Sequence, residues 1–535
     1  MKRKYIISLV VPVLFSFIGC EDNLDTYPEG DIVTSEQKEE VVANDPSKAE
    51  ASVNAVFAQF NQYMPNENAL GAQRHNDFGY PSIMLFTDAN GYDVISDDNG
   101  YNWTGNSLDY SDRDYTSYES QIVWNDLYSI IRATNNVIGA IATDTEDPTS
   151  KYFLAQGLAT RAFSYWVLAQ LYQFNYVGHL QDLCVPIITP ENVNDAAIDG
   201  VPRSTVQEVY TLIKNDLGTS IELLKAASDA GIKRADKRYI NLAVAYGLRA
   251  RVNLTMQSWS EAAADAASAI ENSTAIPAGI GNVSRPAFWT VDEPNWMWGI
   301  IVSETDDVVT SGIVNWISHM GSLNYGYAWF SKGKQINKSL YESINSTDVR
   351  KGWWLDENQT SPNLTEAEQT HMLQYGFAPY TQVKFAPYKM ELKTSTNAND
   401  IPLMRIEEMY LIKAEAEAMS GGGGVSTLES FIKTYRDPDY VCEVSAPEDV
   451  QEEVFRHRRI ELWGEGLNWF DVMRLNTGVD RRGAGYPNAT MVFNIPPEDP
   501  LLLWRIPESE IQANRGLTEG DNNPAAPTPE PVPDI

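Results

Sequence analysis

Apolar residues recur at helical spacing over much of the 535-residue chain. Between residues 121 and 142, Trp124, Leu127, Tyr128, Ile131 and Ile138 fall at i, i+3, i+4, i+7 and i+14, one stripe of a helix of 3.6-residue period. A second stripe runs through Leu154, Leu158, Ala162, Tyr165, Leu168 and Tyr172. In a third, Val206, Val209, Tyr210, Ile213 and Leu217 line one face behind Ser204 or Thr205, with Gln207 or Glu208 three residues on as the reciprocal cap. Further helices are predicted over 236–257, 259–271, 403–420, 425–436 and 448–474, and Ser258 and Glu261 repeat the capping spacing. The short turn Gln257-Ser258-Trp259-Ser260 predicts a helical hairpin, and helices of this size joined by short turns suggest tetratricopeptide-like pairing.

The pattern changes between about 272 and 400, where Pro, Gly, Asn, Trp and Tyr are frequent and no helical stripe is sustained. Short β-like runs such as Met297 to Ser303 occur there. A similar stretch, rich in aromatics, Asp and Asn, covers 75–118, and the Pro-rich residues 522–535 show no apolar face and read as a mobile tail. The fold class expected is mainly α, a scaffold of helical pairs carrying long aromatic loops and a few short strands. The chain divides into a signal (1–19), an acidic leader (20–50), a helical region (51–271), a loop-rich region (272–400), a second helical region (401–515) and a tail (516–535).

At the N-terminus, Lys2, Arg3 and Lys4 precede an apolar run from Tyr5 to Ile18, and Gly19 stands directly before Cys20. The run is shorter than the roughly 20 residues a spanning helix needs, so it reads as an export signal. Phe17-Ile18-Gly19-Cys20 resembles a bacterial lipobox, which makes Cys20 the acylated first residue of the mature chain. Glu21 and Asp22 resemble the acidic signal that sends such lipoproteins to the cell surface. With 73 Asp and Glu against 40 Lys and Arg, a formal charge of −33, the chain lacks the cations that nucleic acid or an anionic bilayer surface would demand. Cys184 and Cys442 read as two separate buried thiols, with a disulfide between them as the alternative.

No motif points to catalysis or to a cofactor. Gly421-Gly422-Gly423-Gly424 lacks the following Lys-Ser or Lys-Thr and a preceding strand, so it is an interhelical loop and not a phosphate cradle. Glu461, Glu465 and Asp471 lie at helical spacings among Arg458, Arg459 and Arg474, the pattern of ion pairs that hold helix ends together. The five histidines show no metal-ligand spacing, and Asp97-Asp98 and Asp306-Asp307 read as solvated loops, with a bound cation as the alternative. The aromatic loops carry the chemistry: sugar rings offer C–H faces that stack on aromatic planes and hydroxyl rims that need short polar partners. Candidate ligand contacts are Trp103 with its neighbours Tyr101 and Asn102, then Tyr92, Trp296, Trp316, Tyr325 and Trp329. Trp124 and Trp469, each inside a helical motif, read as scaffold.

Several segments carry a family resemblance. They include Trp124-Asn125-Asp126-Leu127-Tyr128, Leu158-Ala159-Thr160-Arg161-Ala162, Val201-Pro202-Arg203-Ser204-Thr205, Leu248-Arg249-Ala250-Arg251-Val252, Arg405-Ile406-Glu407-Glu408-Met409-Tyr410 and Glu465-Gly466-Leu467-Asn468-Trp469-Phe470-Asp471. In number, order and spacing these resemble the SusD/RagB family of outer-membrane nutrient-binding lipoproteins; His457 and Asn468 are departures within the scaffold. The resemblance implies a non-enzymatic protein anchored at Cys20 to the outer membrane, exposed at the cell surface and without a cofactor. It further implies capture of an oligosaccharide, with the Trp103 segment as binding loop, and delivery to a SusC-like TonB-dependent transporter. A peptide ligand of the RagB kind is the first alternative and a surface glycan hydrolase the second.

Overall fold

The computed structural model describes residues 35–64, 75–97 and 103–535. Long helices form the body, and four of them begin where a side chain takes up free backbone N–H groups. Ser117 caps Tyr118–Ile138, Asp147 caps Pro148–Tyr172, Asn241 caps Leu242–Thr255, and Thr205 with Glu208 forms a complete capping box on Val206–Asp229. Pro148–Tyr172 packs against both Tyr118–Ile138 and Val206–Asp229. Leu242–Thr255 turns back on Trp259–Glu271, which in turn packs on Ile406–Met419 beside Gly424–Tyr435 and Pro447–Glu461. This is the paired-helix scaffold expected.

Strands are short: among the described residues each sheet is a two-stranded antiparallel ribbon. Trp296–Ile300 pairs with Ile401–Arg405, Val94–Ile95 with Gln335–Ile336, and Val479–Asp480 with Asn494–Ile495. One large core runs through the helices and reaches the loop region through Trp296, Trp298, Trp316, Trp353 and Trp354. A smaller cluster of Leu323, Leu355, Met372, Phe377 and Val383 lies under the aromatic loops.

Several elements differ from the sequence pattern. The helix expected over 403–420 is a strand to Arg405 and a helix from Ile406, and that over 448–474 is two helices, Pro447–Glu461 and Asn468–Leu475. Gly464 and Gly466, at φ +73° and +68°, make the break, and a Cβ on Gly466 would stand 2.7 Å from Met84. The helix Tyr80–Asn90 was not signalled, because all its residues are buried and no polar face marks a period. Ser258 makes no capping bond despite its spacing. The acidic leader contains a helix, Ser35–Asn44. The last residues are held and not loose: Asn523 is buried and donates to the Tyr172 and Trp504 carbonyls (2.8 and 2.7 Å), and Val532 donates its amide to Val492 O (2.9 Å).

Of the charged residues read as helix-end pairs, Asp471 does pair with Arg458 and Arg474 (both 2.7 Å), while Glu461 and Glu465 are buried and join separate parts of the chain. Glu461 accepts from Arg350 (3.2 Å), Arg405 (3.0 Å) and Arg436 (2.7 Å), while Glu465 meets Arg405 (2.8 Å) and Lys384 (2.6 Å). Burial alone would raise the Glu461 carboxyl, yet Arg436, Arg405 and Arg350 together hold it well below the usual carboxylate range. Burial likewise pushes the Lys384 ammonium down to about 8 against the pull of Glu465. Arg350 and Lys384 come from the loop region, so this network fixes it to the C-terminal helices. Both thiols are free: Cys184 is buried, and Cys442 is half-buried where full burial was expected.

Candidate functional site

Two groups of aromatic rings meet at the surface on either side of one helical turn, Tyr327–Phe330. On one side, the half-buried Trp103 lies flat on His75, ring centroids 4.2 Å apart and planes 18° apart, and meets Tyr327 edge to face at 6.4 Å. On the other side, Tyr325 and Phe330 remain 39 % and 43 % exposed. Trp329 meets Tyr325 at 5.5 Å and Tyr375 at 4.1 Å, both edge to face.

Each ring is set by backbone contacts. Asn76 Nδ2 donates to the Trp103 carbonyl (3.0 Å) and to Glu119 Oε1 (2.9 Å), tying the loop to the helix Tyr118–Ile138. Trp103 itself has φ +54°, a left-handed conformation costly for a bulky residue and a mark of functional sites. The Tyr325 amide donates to Thr394 O (2.8 Å), and Asn397 Nδ2 donates to Tyr325 O (3.1 Å). Tyr327 N donates to Ser318 Oγ (3.0 Å), and a Cβ on Gly326 would stand 2.6 Å from Ser318 Cα, so only glycine lets the turn sit this close.

Histidines support the rings. His371 packs under Trp329 at 4.8 Å, its Nε2–H donates to Ser322 O (2.9 Å), and burial lowers its affinity for a second proton. His319 Nε2–H donates to His75 O (2.9 Å) while its ring stacks on Tyr327 at 4.7 Å. The His75 imidazole also bonds the Tyr327 hydroxyl, whose proton is held more tightly because of burial. A half-wet aromatic surface of this kind can stack flat apolar faces.

The structure separates the sequence-based candidates. Tyr325 and Trp329 are brought into contact, and Trp103 lies against Tyr327 of the same turn. Trp296, with no exposed surface, packs on Phe288, and Trp316, 1 % exposed, meets Phe385 edge to face at 5.0 Å; both are core, because ribbon and helix bury faces that sequence placed in loops. Tyr92 is half-buried with the Arg459 guanidinium 4.8 Å over its ring, beside the Arg459–Asp93 ion pair (2.6 Å), and belongs to the scaffold. Tyr101, Asn102 and Cys20 lie outside the described residues. His75, Phe330 and Tyr375 were not singled out. The run Tyr325-Gly326-Tyr327-Ala328-Trp329-Phe330 is the available signal for Phe330, whereas nothing local to His75 marks it as a ring partner.

A cleft of about 920 Å³ lies elsewhere, lined by Asn61, Tyr63, Arg238, Trp298, Ser303 and Asp306. Trp298 is fully buried there and Tyr63 is half-buried with its hydroxyl donating to Asp307 O (3.1 Å), so the cleft presents fewer accessible rings than the turn Tyr327–Phe330. We therefore place the candidate site on the rings. Among the described residues no three His, Cys, Asp or Glu are grouped to hold a metal, and no helix is long and apolar enough to cross a membrane.

Two family models match the chain. The one described as "starch-binding associating with outer membrane" covers residues 43–254, and the SusD family model covers 316–525. SusD-like protein P2 of Formosa agariphila is 24 % identical over 387 residues, 66 % of this chain and 71 % of the relative. SusD-like protein P38 of the same organism is 23 % identical over 404 residues, 67 % of this chain and 73 % of the relative. A SusD-like carbohydrate binding protein from Bacteroides vulgatus superimposes with a TM-score of 0.71 at 22 % identity, over 90 % of this chain and 98 % of that one. Surface glycan-binding protein A from Bacteroides fluxus does so with a TM-score of 0.61 at 17 % identity, over 90 % and 99 %. With both halves of its paired-helix body matched by models of one family, and with solved members sharing its fold, the chain belongs to the SusD/RagB family.

Proposed function

We propose that the protein is a non-enzymatic, cell-surface glycan-binding lipoprotein, anchored through Cys20, that captures an oligosaccharide on the Trp103–Tyr325–Trp329 platform and hands it to a SusC-like TonB-dependent transporter. The platform carries the reading. Its rings come from three separate stretches of chain (75–103, 325–330 and 375) and, apart from the buried Tyr327, are half-buried or exposed; Trp103 rests on His75, Trp329 meets Tyr325, Tyr375 and His371, and bonds to the Trp103 and Tyr325 carbonyls hold the backbone. An apolar ring left partly in solvent suits a partner that covers it, and a sugar's C–H face fits it. The family description and the names of the relatives support carbohydrate as the ligand class. Calorimetry of the protein against neutral and acidic glycans and against peptides tests it: a glycan should bind and peptides should not, and binding of peptides alone would contradict the reading.

A further inference from the structure

Two ammonium groups converge on the Trp329–Tyr375 side of the platform. Lys393 Nζ lies 5.3 Å from the Tyr375 ring centroid, and Lys332 Nζ lies 3.5 Å from where a Cβ on Gly376 would stand. Both side chains are exposed, and among the described residues neither makes an ion pair. Their neighbours do: Lys389 meets Glu304 at 2.7 Å and Lys384 meets Glu465 at 2.6 Å. Glu391, exposed and two residues before Lys393, pairs with neither.

The backbones beneath the two lysines are fixed. The Lys332 carbonyl accepts from Gln335 Nε2 (3.1 Å), Thr381 Oγ1 (3.2 Å) and the Ala378 amide (3.3 Å), and the Lys393 amide donates to Leu323 O (2.8 Å). Lys332 at φ +68° and Lys393 at φ +67° both hold the left-handed conformation that lysine rarely adopts. Strain of this kind persists where surrounding structure imposes it, and it gathers at ligand sites. In a chain with 73 acids against 40 bases, counter-charges are plentiful, yet these two cations beside the rings are left for an incoming anion. The net charge of the whole molecule does not forbid this, because salt at physiological strength screens exposed charges beyond about 8 Å.

Resting on the platform reading, we propose that the ligand is an acidic oligosaccharide. One ring stacks at Trp329, and its carboxylate or sulfate, carried at the ring edge, is taken by Lys332 and Lys393. The shared chemistry is a compact anion on a sugar; separate uronate-bearing and sulfated probes tell the two apart.

The test is an array of uronate-bearing, sulfated and neutral oligosaccharides, with acidic peptides alongside, titrated into the full chain and into the double variant Lys332→Gln/Lys393→Gln at low and physiological salt. Acidic glycans should bind more tightly than neutral ones, and the double variant should lose about tenfold of that affinity together with part of its salt dependence. Its unfolding temperature should match the parent, since neither side chain is buried. Equal affinity for neutral glycans, unchanged affinity in the double variant, or capture of acidic peptides in their place would overturn the acidic-sugar assignment and leave the platform standing. Failure of every glycan to bind would overturn the platform reading, and this inference with it.

Discussion

Trp316 keeps 1 % of its surface and meets Phe385 at 5.0 Å, whereas Trp329 stands half-buried beside the exposed Tyr325. Trp316→Ala should therefore cost about 3–5 kcal/mol in urea unfolding, and Trp329→Ala far less. If the two lose the same stability, Trp329 is core as well. A second residue-scale expectation concerns Asp88, where burial, opposed by the Gly466 N–H, raises the carboxyl to about 8. The folded protein then holds a proton that the unfolded chain releases near pH 4, so stability falls as pH rises from about 4 to about 8. Asp88→Asn lacks that proton and should gain on the parent between pH 5 and pH 8, by up to roughly 1.4 kcal/mol per pH unit. Parallel stability curves would mean that Asp88 is ionised in the fold. Residue identity could not separate Trp296 and Trp316 from Trp329, since all three stand in aromatic loops by sequence, and only the tertiary partners decide which faces are covered.

Among the elements, the turn Tyr327–Phe330 joins both halves of the platform, and Gly326 lets it sit against Ser318. Gly326→Ala puts a methyl group 2.6 Å from the Ser318 backbone, so the turn must move. The expected loss is about 1–3 kcal/mol of stability, with ligand affinity weakened at Tyr325 and Trp329 together. Unchanged affinity would show that the turn does not position the rings. The amphipathic helix Val206–Asp229 was legible because one face meets solvent, and its Thr205 cap stands where the pattern put it; Pro148–Tyr172 follows the stripe from Leu154 to Tyr172 although nearly all its residues are buried. The helix Tyr80–Asn90, buried all round, carried no such period, and the one-turn helix of the platform is too short to carry one. The break at Gly464 and Gly466 inside an apparently continuous pattern is set by contacts with Met320, Phe385 and Met84, which no local rule reveals.

For the whole molecule, the buried charges bind the loop region to the helices, and Glu461 sits at their centre among three arginines. Glu461→Gln should cost about 3–5 kcal/mol by leaving buried guanidinium groups without their counter-charge. Because its folded carboxyl titrates below the ordinary value, the stability it supplies is present above pH 4.5 and should disappear as pH falls further. A variant that unfolds in acid like the parent would contradict this. The family motifs made the fold legible across most of the chain, while the ligand surface was legible only as a composition, because its rings converge from stretches as far apart as His75 and Tyr375. At the membrane, Cys20→Ala should leave the body folded and release it from the membrane fraction; retention of that variant in cells lacking the transporter would contradict the anchor. The most direct measurement of glycan capture is the affinity of Trp103→Ala and Trp329→Ala for whichever oligosaccharide the parent binds. Each should weaken binding by about 1–3 kcal/mol, one stacking contact with its buried area, at nearly unchanged unfolding temperature. Full affinity in both variants would place the ligand elsewhere on the molecule.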